Sequence, residues 1–514
     1  MSSVRVRMAP SPTGWIHIGT ARTFLFDYLM AKQAENGKLV MRIEDTDVKR
    51  SVKGGVESLY QSLDFLGITA DEGPREGGEF GPYFQTQREE IYKEYALKMV
   101  EEGNAYRCFC SAERLAQLKE EQKMMKIRPH YDGLCKTLSQ EEIEKRIAAG
   151  ESYVVRMKVP ENETIEYEEP VIGKKISFNS SDTNEQVLLK SDGLPTYHLA
   201  VVVDDMLMKI THAVRGSEYI PSIPKQVLLY RYLGAPMPTY LHVPLVLNPD
   251  GKGKLSKRKG NVAVIDFIRK GYIKEAIINF VALIGWNPAP EVAHKDEIYD
   301  IEYLIKHFDP KRIKKSAGRF EVEKLDSFNA VWIGKLTPSQ LYDRVLAWAE
   351  VVLQNNVVDE IRGVTDELEE LRTKVSELKQ YLMADRTRAE ILLSIVQQRV
   401  KRLTDIYDWF SVLWQENASF DHESVASVLP DVEKRAEIVY NLRDALEKLP
   451  NWEQELWEPT VRALADRYNL KHGDLFMVLR VIVTGKKISP PLRDFMVLAG
   501  RDFVSKRFEQ FSSK

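Results

Sequence analysis

VRVRM, APSPTGWIHIGT and KLVMRIED follow one another near the start of this chain, and together they restrict its fold more than any other stretch. VRVRM and KLVMRIED read as strands, and Pro10, Pro12 and Gly14 enforce a turn after the first. Phe24, Leu25, Tyr28 and Leu29 are spaced as on a helix that begins just after Gly19. Strand, glycine loop, helix and strand form one βαβ unit, and such sheets bind ligands at the carboxyl ends of their strands.

Gly14 and Gly19 have the separation of the two glycines in a GxxxxGK[ST] phosphate loop, but Thr20 stands where the lysine belongs. A phosphate site here needs a cation from elsewhere. The segment NPDGKGKLSKRKGN, residues 248–261, can supply it, because Gly251, Gly253 and Gly260 bracket Lys252, Lys254, Lys257, Arg258 and Lys259. A cationic glycine loop can close over a triphosphate and stabilise developing charge. Taken alone, the first segment is more usually just a turn and the second more usually solvated surface.

The chain has 514 residues, too many for one core, and about 150 residues per domain suggests three or four. From about residue 86 to 195 a charged helical stretch and β-like segments (YVVRMKVP, KKISF, QVLLKSDGLPTY) look inserted into the α/β part. The apolar pattern resumes in YHLAVVVDDMLMKITHAVRG. It reads as a buried strand, a turn at Asp204–Asp205, and a second strand or helix ending near Arg215. Beyond about residue 330 strand signals fade. Leu368, Leu371, Val375, Leu378 and Leu382 recur three and four apart, over too few heptads for a coiled coil, which predicts a packed amphipathic helix.

No apolar run approaches the ~18 residues of a membrane span. The N-terminal segment has no apolar signal core, so a cytoplasmic protein is expected. Three cysteines, Cys108, Cys110 and Cys135, are too few for a disulfide scaffold. Thiolates two apart with a third nearby can share one tetrahedral zinc ion, or all three can be free buried thiols. The net charge of −3 shows no global basic footprint, so contacts to nucleic acid would need local runs such as DPKRIKKSAGR at 309–319.

HIGT at 17–20 and KLSKR at 254–258 resemble the HIGH and KMSKS motifs of class I aminoacyl-tRNA synthetases. RMAPSPTG at 7–14, RIEDTD at 42–47, DEGP at 71–74, SDGLPTYHLA at 191–200 and LSKRKG at 255–260 narrow the resemblance to the bacterial-type glutamyl branch. Thr20 in place of the motif's last histidine, and Lys257 followed by Arg258, are usual in that branch.

The resemblance implies a Rossmann-type (HUP-like) α/β catalytic domain with a parallel sheet and an α+β insertion, then an all-α anticodon-binding region. Its expected bounds are 1–85 with 196–240 for the catalytic domain and 86–195 for the acceptor-end insertion. Residues 241–330 would form a stem-contact domain with the KLSKR loop, and 331–514 the helical anticodon-binding domain. The implied activity is ATP-dependent attachment of glutamate to tRNA(Glu) through glutamyl-adenylate, with AMP and pyrophosphate released and charging of tRNA(Gln) left open. The attacking carboxylate, whose pKa lies well below neutrality, is already ionised at neutral pH, so the first step needs no general base.

By the same resemblance, His17, Gly19, Lys254 and Lys257 are the catalytic candidates. Ala9, Pro10, Ser11, Glu218 and Ser256 join them around ATP, with Mg2+ on the phosphates. Arg7, Ser11, Glu44, Tyr197 and Arg215 match glutamate-binding positions. Arg399 and the loop Ser489-Pro490-Pro491 match anticodon contacts. Relatives with zinc supply a fourth ligand at the position of Thr137, a poor ligand, and Tyr131 is the substitute. A monomer is the family expectation. The rivals are a glutaminyl-tRNA synthetase, a small-molecule adenylyltransferase and a non-catalytic RNA-binding paralogue.

Overall fold

The computed structural model describes residues 4–12, 14–47, 49, 51–255, 262–354, 359, 363–415, 419–450 and 454–512. They fall into two compact units, one within Met1–Asp266, Lys274–Lys324 and Asn356–Arg362 and one within Phe267–Ile273, Leu325–Asn355 and Gly363–Lys514.

The first unit opens with β1 (Arg5–Met8), α1 (Ile18–Gln33) and β2 (Lys38–Met41), and β1 pairs in parallel with β2 from Arg5↔Lys38 to Met8↔Met41. This is the βαβ unit expected from the sequence. Three of four residues in each strand are buried, as in a sheet covered on both faces.

The insertion carries β3 (Ala105–Cys108), β4 (Val154–Met157), β5 (Thr164–Glu169), β6 (Lys174–Asn179) and β7 (Val187–Leu189). β3, β4 and β7 form one antiparallel sheet and β5 with β6 a hairpin. The insertion has a small apolar cluster of its own around Tyr106, Cys108 and Cys135, and its sheet also packs on the α/β part. Ala105, Val155, Met157, Ile165 and Leu188 share one apolar cluster with Leu199, Val202, Ala213 and Tyr240 of the α/β part.

The segment read as a buried strand is a helix, Tyr197–Leu207, followed by β8 (His212–Gly216). The reading failed because Leu199 to Asp205 are buried all round, so no polar face marks a helical period. A continuous apolar run does not separate a buried strand from a buried helix. β8 pairs in parallel with β9 (Thr239–Val243), and Arg5 and Thr211 exchange hydrogen bonds that set β1 beside the entry to β8.

The second unit is helical, without a strand among its described residues. Helix Asp366–Ala384 buries Val375, Leu378 and Leu382, as its spacing predicted. Among the described residues, no helix is long and apolar enough to cross a membrane.

Candidate active site

The N-terminus of α1 opens on the site, and His17 caps it. Its Nδ1 accepts from the amide of Gly19 at 3.0 Å, satisfying one of the helix's orphan donors. An accepting Nδ1 carries no proton, so the neutral ring holds its hydrogen on Nε2. His17 therefore combines a helix N-terminus, with its partial positive charge, and a ring N–H donor.

The lysine loop is pinned beside this cap from both flanks. Leu255 donates its amide to Val246 at 2.8 Å, Ile18 donates to Val262 at 3.0 Å, and His17 bridges Ala263. Lys254 meets Glu218, Nζ to Oε1 at 2.6 Å. Ser256 and Lys257 lie outside the described residues.

A cavity of about 490 Å³ joins these groups. Arg7, Ala9, His17, Gly19, Glu44, Tyr197, Arg215, Glu218 and Lys254 all line it, nine of the expected site residues. Pro10 and Ser11 are not among its lining residues. Ser11 is exposed, and Pro10 contributes its carbonyl to the amide of Glu44 at 2.9 Å.

One end of the cavity rests on a buried ionic network centred on Asp204 and Asp205. Asp205 Oδ1 takes Arg42 Nη1 at 2.7 Å and Arg7 Nε at 3.3 Å, and Arg42 Nη2 holds Glu44 at 3.1 Å. Asp204 takes Arg88 at 2.7 Å, Gln85 at 2.9 Å and Tyr92 at 2.8 Å. Burial acts to raise the Asp205 pKa, but Arg7 and Arg42 outweigh it and hold the group below the ordinary carboxylate range. For Glu44 burial wins over Arg42 and Arg7, and its pKa is raised. A cationic group arriving beside Glu44 would favour its ionised form.

Arg215 is arranged differently. It is 5% exposed, yet no carboxylate lies within ion-pair distance of it among the described residues. Its Nε donates to His242 Nε2 at 3.0 Å, its Nη2 donates to Gln226 Oε1 at 2.7 Å, and its Cζ lies 3.7 Å from the Tyr240 ring centroid. Nη1 is buried without a hydrogen-bond partner among the described residues. A buried guanidinium with only neutral partners is a strong site for a carboxylate.

Sequence reasoning missed Arg42, Asp204, Asp205, Gln226, His242 and Arg22. The one available signal was the pair of acids in VVVDD, since two carboxylates at the end of an apolar run need buried partners. Arg22 ties α1 to the carbonyls of Ile284, at 3.0 Å, and Pro244. Burial, opposed by Glu218, lowers its pKa to about 10.

Elsewhere, Cys108, Cys110 and Cys135 place their sulfurs within 4.8 Å of one another. The Tyr131 hydroxyl lies 3.4 Å from both Cys108 and Cys110. Thr137 is exposed and its hydroxyl donates to the Leu134 carbonyl at 3.3 Å. In the run 309–319, Lys311, Lys314, Lys315 and Arg319 are exposed, whereas Arg312 is spent on the carbonyls of Asn287 and Pro288. In the second unit Arg399 is exposed, Ser489 and Pro490 are buried, and Ser489 donates its hydroxyl to the Pro490 carbonyl.

Residues 3–327 match the family model described as tRNA synthetases class I (E and Q), catalytic domain, and residues 354–512 match that of an anticodon binding domain. The chain is 37% identical to the glutamate–tRNA ligase of Alkaliphilus metalliredigens and 39% identical to that of Finegoldia magna, in each case over 99% of both chains. It is also similar to the crystal structure of a glutamate tRNA ligase from Elizabethkingia meningosepticum in complex with its amino acid. That likeness has a TM-score of 0.82, 31% identity and 99% coverage of both chains.

Proposed function

Since the chain belongs to the class I tRNA synthetases of the glutamate and glutamine type and matches glutamate–tRNA ligases along its whole length, we propose that this cavity binds glutamate and ATP together. The activity is aminoacylation of tRNA with glutamate, by a Rossmann-like catalytic domain joined to an all-helical anticodon-binding domain. The observation that carries the assignment of roles is Arg215, a buried cation without a counter-charge among the described residues, in one cavity with the His17 cap and Lys254.

Glutamate's side-chain carboxylate pairs with Arg215, its ammonium with Glu44, and Arg7 and Tyr197 line the remaining contacts. Its α-carboxylate oxygen attacks the α-phosphorus of ATP, the bond to the bridging oxygen breaks, and pyrophosphate leaves. His17 Nε2–H, the N-terminus of α1 and Lys254, joined by Lys257, stabilise charge on the phosphates as it develops, while Glu218 serves the ribose. Class I synthetases use ATP with Mg2+, which supplies further neutralisation of the phosphates. In the second step a ribose hydroxyl of the tRNA's terminal adenosine attacks the acyl carbon and AMP leaves.

Residues 1–85 and 196–240 serve the chemistry in this reading. Residues 86–195 serve the acceptor end, 241–330 the stem contact and the lysine loop, and 331–514 the anticodon. The exposure of Arg399 suits a base contact. The burial of Ser489 and Pro490 suits a role in shaping the loop beside Ile488, which is 77% exposed. The three thiols and the Tyr131 hydroxyl have the donor set and the closeness for a structural zinc ion. Metal analysis of protein purified without added zinc tests this, and a metal-free folded chain overturns it. The reading includes a cytoplasmic monomer, which light scattering of the purified chain and cell fractionation check.

Pyrophosphate exchange with glutamate or glutamine, with and without tRNA, tests the whole assignment. Exchange with glutamate in the presence of tRNA supports it, and exchange with glutamine in its place overturns it. Charging assays with tRNA(Gln) decide whether that tRNA is also a substrate.

A further inference from the structure

Arg215 and His242 are register partners across the parallel strands β8 and β9. A guanidinium nitrogen only donates, so the His242 Nε2 that receives Arg215 Nε carries no proton. The ring hydrogen is then on Nδ1, which faces Glu169 Oε2. Glu169 ends β5 of the insertion, and its Oε1 also accepts from the amides of Val171 at 3.1 Å and His242 at 3.4 Å. Glu169 is 1% exposed and His242 2%. Burial, the largest influence on His242, holds its pKa below the ordinary value and keeps the ring neutral.

This chain of bonds fixes three things at once. Glu169 selects the histidine tautomer, the tautomer presents a lone pair, and the lone pair sets the rotation of the guanidinium. Gln226 holds the second nitrogen, which leaves Nη1 without a partner among the described residues. We propose that Glu169 and His242 are positioning residues for glutamate selectivity, aligning Arg215 so that Nη1 meets the substrate's side-chain carboxylate. This rests on the assignment of Arg215 made above. Its consequence is that the insertion contributes to amino-acid choice as well as to tRNA, because β5 supplies the first link.

The alternative is that Glu169 and His242 only fasten the insertion to the sheet. The full-length chain with its tRNA separates the two, in pyrophosphate exchange with glutamate and glutamine as competing substrates. His242→Phe fills the space without an acceptor, and His242→Gln keeps a carbonyl that can accept from Arg215. The expected result is a rise in the KM for glutamate of roughly tenfold or more for His242→Phe. The preference for glutamate over glutamine should narrow, the KM for ATP should hold, and His242→Gln should recover part of the loss.

An unchanged KM and preference in His242→Phe overturns the proposal. So does an equal loss in both variants with the KM for ATP rising in parallel. Should His242→Phe not fold, Glu169→Gln reads the same link, with a smaller rise confined to glutamate expected and no rise overturning it. Arg215→Ala is measured alongside. Normal glutamate activation by that variant removes the underlying assignment, whereas an inactive Arg215→Ala beside an unaffected His242→Phe removes only the positioning claim.

Discussion

Lys254 Nζ lies 2.6 Å from Glu218 Oε1, so this lysine of the cationic loop is held by a carboxylate that lines the same cavity. Their side chains are 56% and 38% exposed, and a pair so open to water contributes less than about 1 kcal/mol. Exchanging Glu218 for a phosphate oxygen therefore costs Lys254 little.

Lys254→Ala should lower the rate of pyrophosphate exchange about a hundredfold, the scale of losing one preorganised donor to a charged transition state. Because the pair is exposed, the melting temperature should hold and glutamate binding should change little. A normal exchange rate would remove Lys254 from the chemistry.

Arg215→Ala should abolish most glutamate activation and, in the residue, erase the preference for glutamate over glutamine. A neutral amide leaves the buried guanidinium without a counter-charge, and removing the cation removes that penalty. Kinetics with both amino acids check this. Arg215→Lys should not restore activity, since one ammonium cannot replace bonds to His242, Gln226 and substrate together.

Asp205→Asn should destabilise the first unit by about 3 kcal/mol, because Arg7 and Arg42 would share a buried site without their common charge. The KM for glutamate should rise as well, since Arg42 also holds Glu44. Denaturant unfolding and exchange kinetics on one preparation measure the two effects. A stable variant with an unchanged KM would contradict the network's role.

Asp27 and Asp205 should act on stability in opposite directions of pH. Asp27 is 1% exposed, Oδ1 accepts from Val214 at 3.1 Å, and burial pushes its pKa well above the ordinary carboxylate value. Its contribution is complete below the unfolded pKa of about 3.9 and is lost as pH rises through the raised folded value. Asp205, whose folded pKa is depressed, contributes above about 3.9 and loses that contribution as pH falls through the folded value. Asp27→Asn should therefore flatten the decline in melting temperature as pH rises above about 3.9. Parallel curves for the variant and the parent would sink the assignment.

Much of the site was legible because its signals are local. Pro10, Pro12 and Gly14 specify a turn wherever they stand, and the spacing of Phe24, Leu25, Tyr28 and Leu29 specifies a helix. Val375, Leu378 and Leu382 likewise announced their buried face before any partner was known. Motif residues such as Arg7, His17, Glu44 and Arg215 could be named individually, and they line one cavity.

The sequence by itself determined the βαβ unit, the start of α1 and the helical character of the second unit. Tertiary structure alone decided that VVVDD is helical, because burial on every side outweighs the strand preference of β-branched valines. It also decided that Asp205 unites Arg7 and Arg42 across 198 and 163 positions of chain, and that Glu169 reaches His242 across 73. Periodicity and turn chemistry act between near neighbours and leave a pattern. A buried charge takes whichever partner the packed sheet brings within about 3 Å, and one chain read alone carries no mark of that choice.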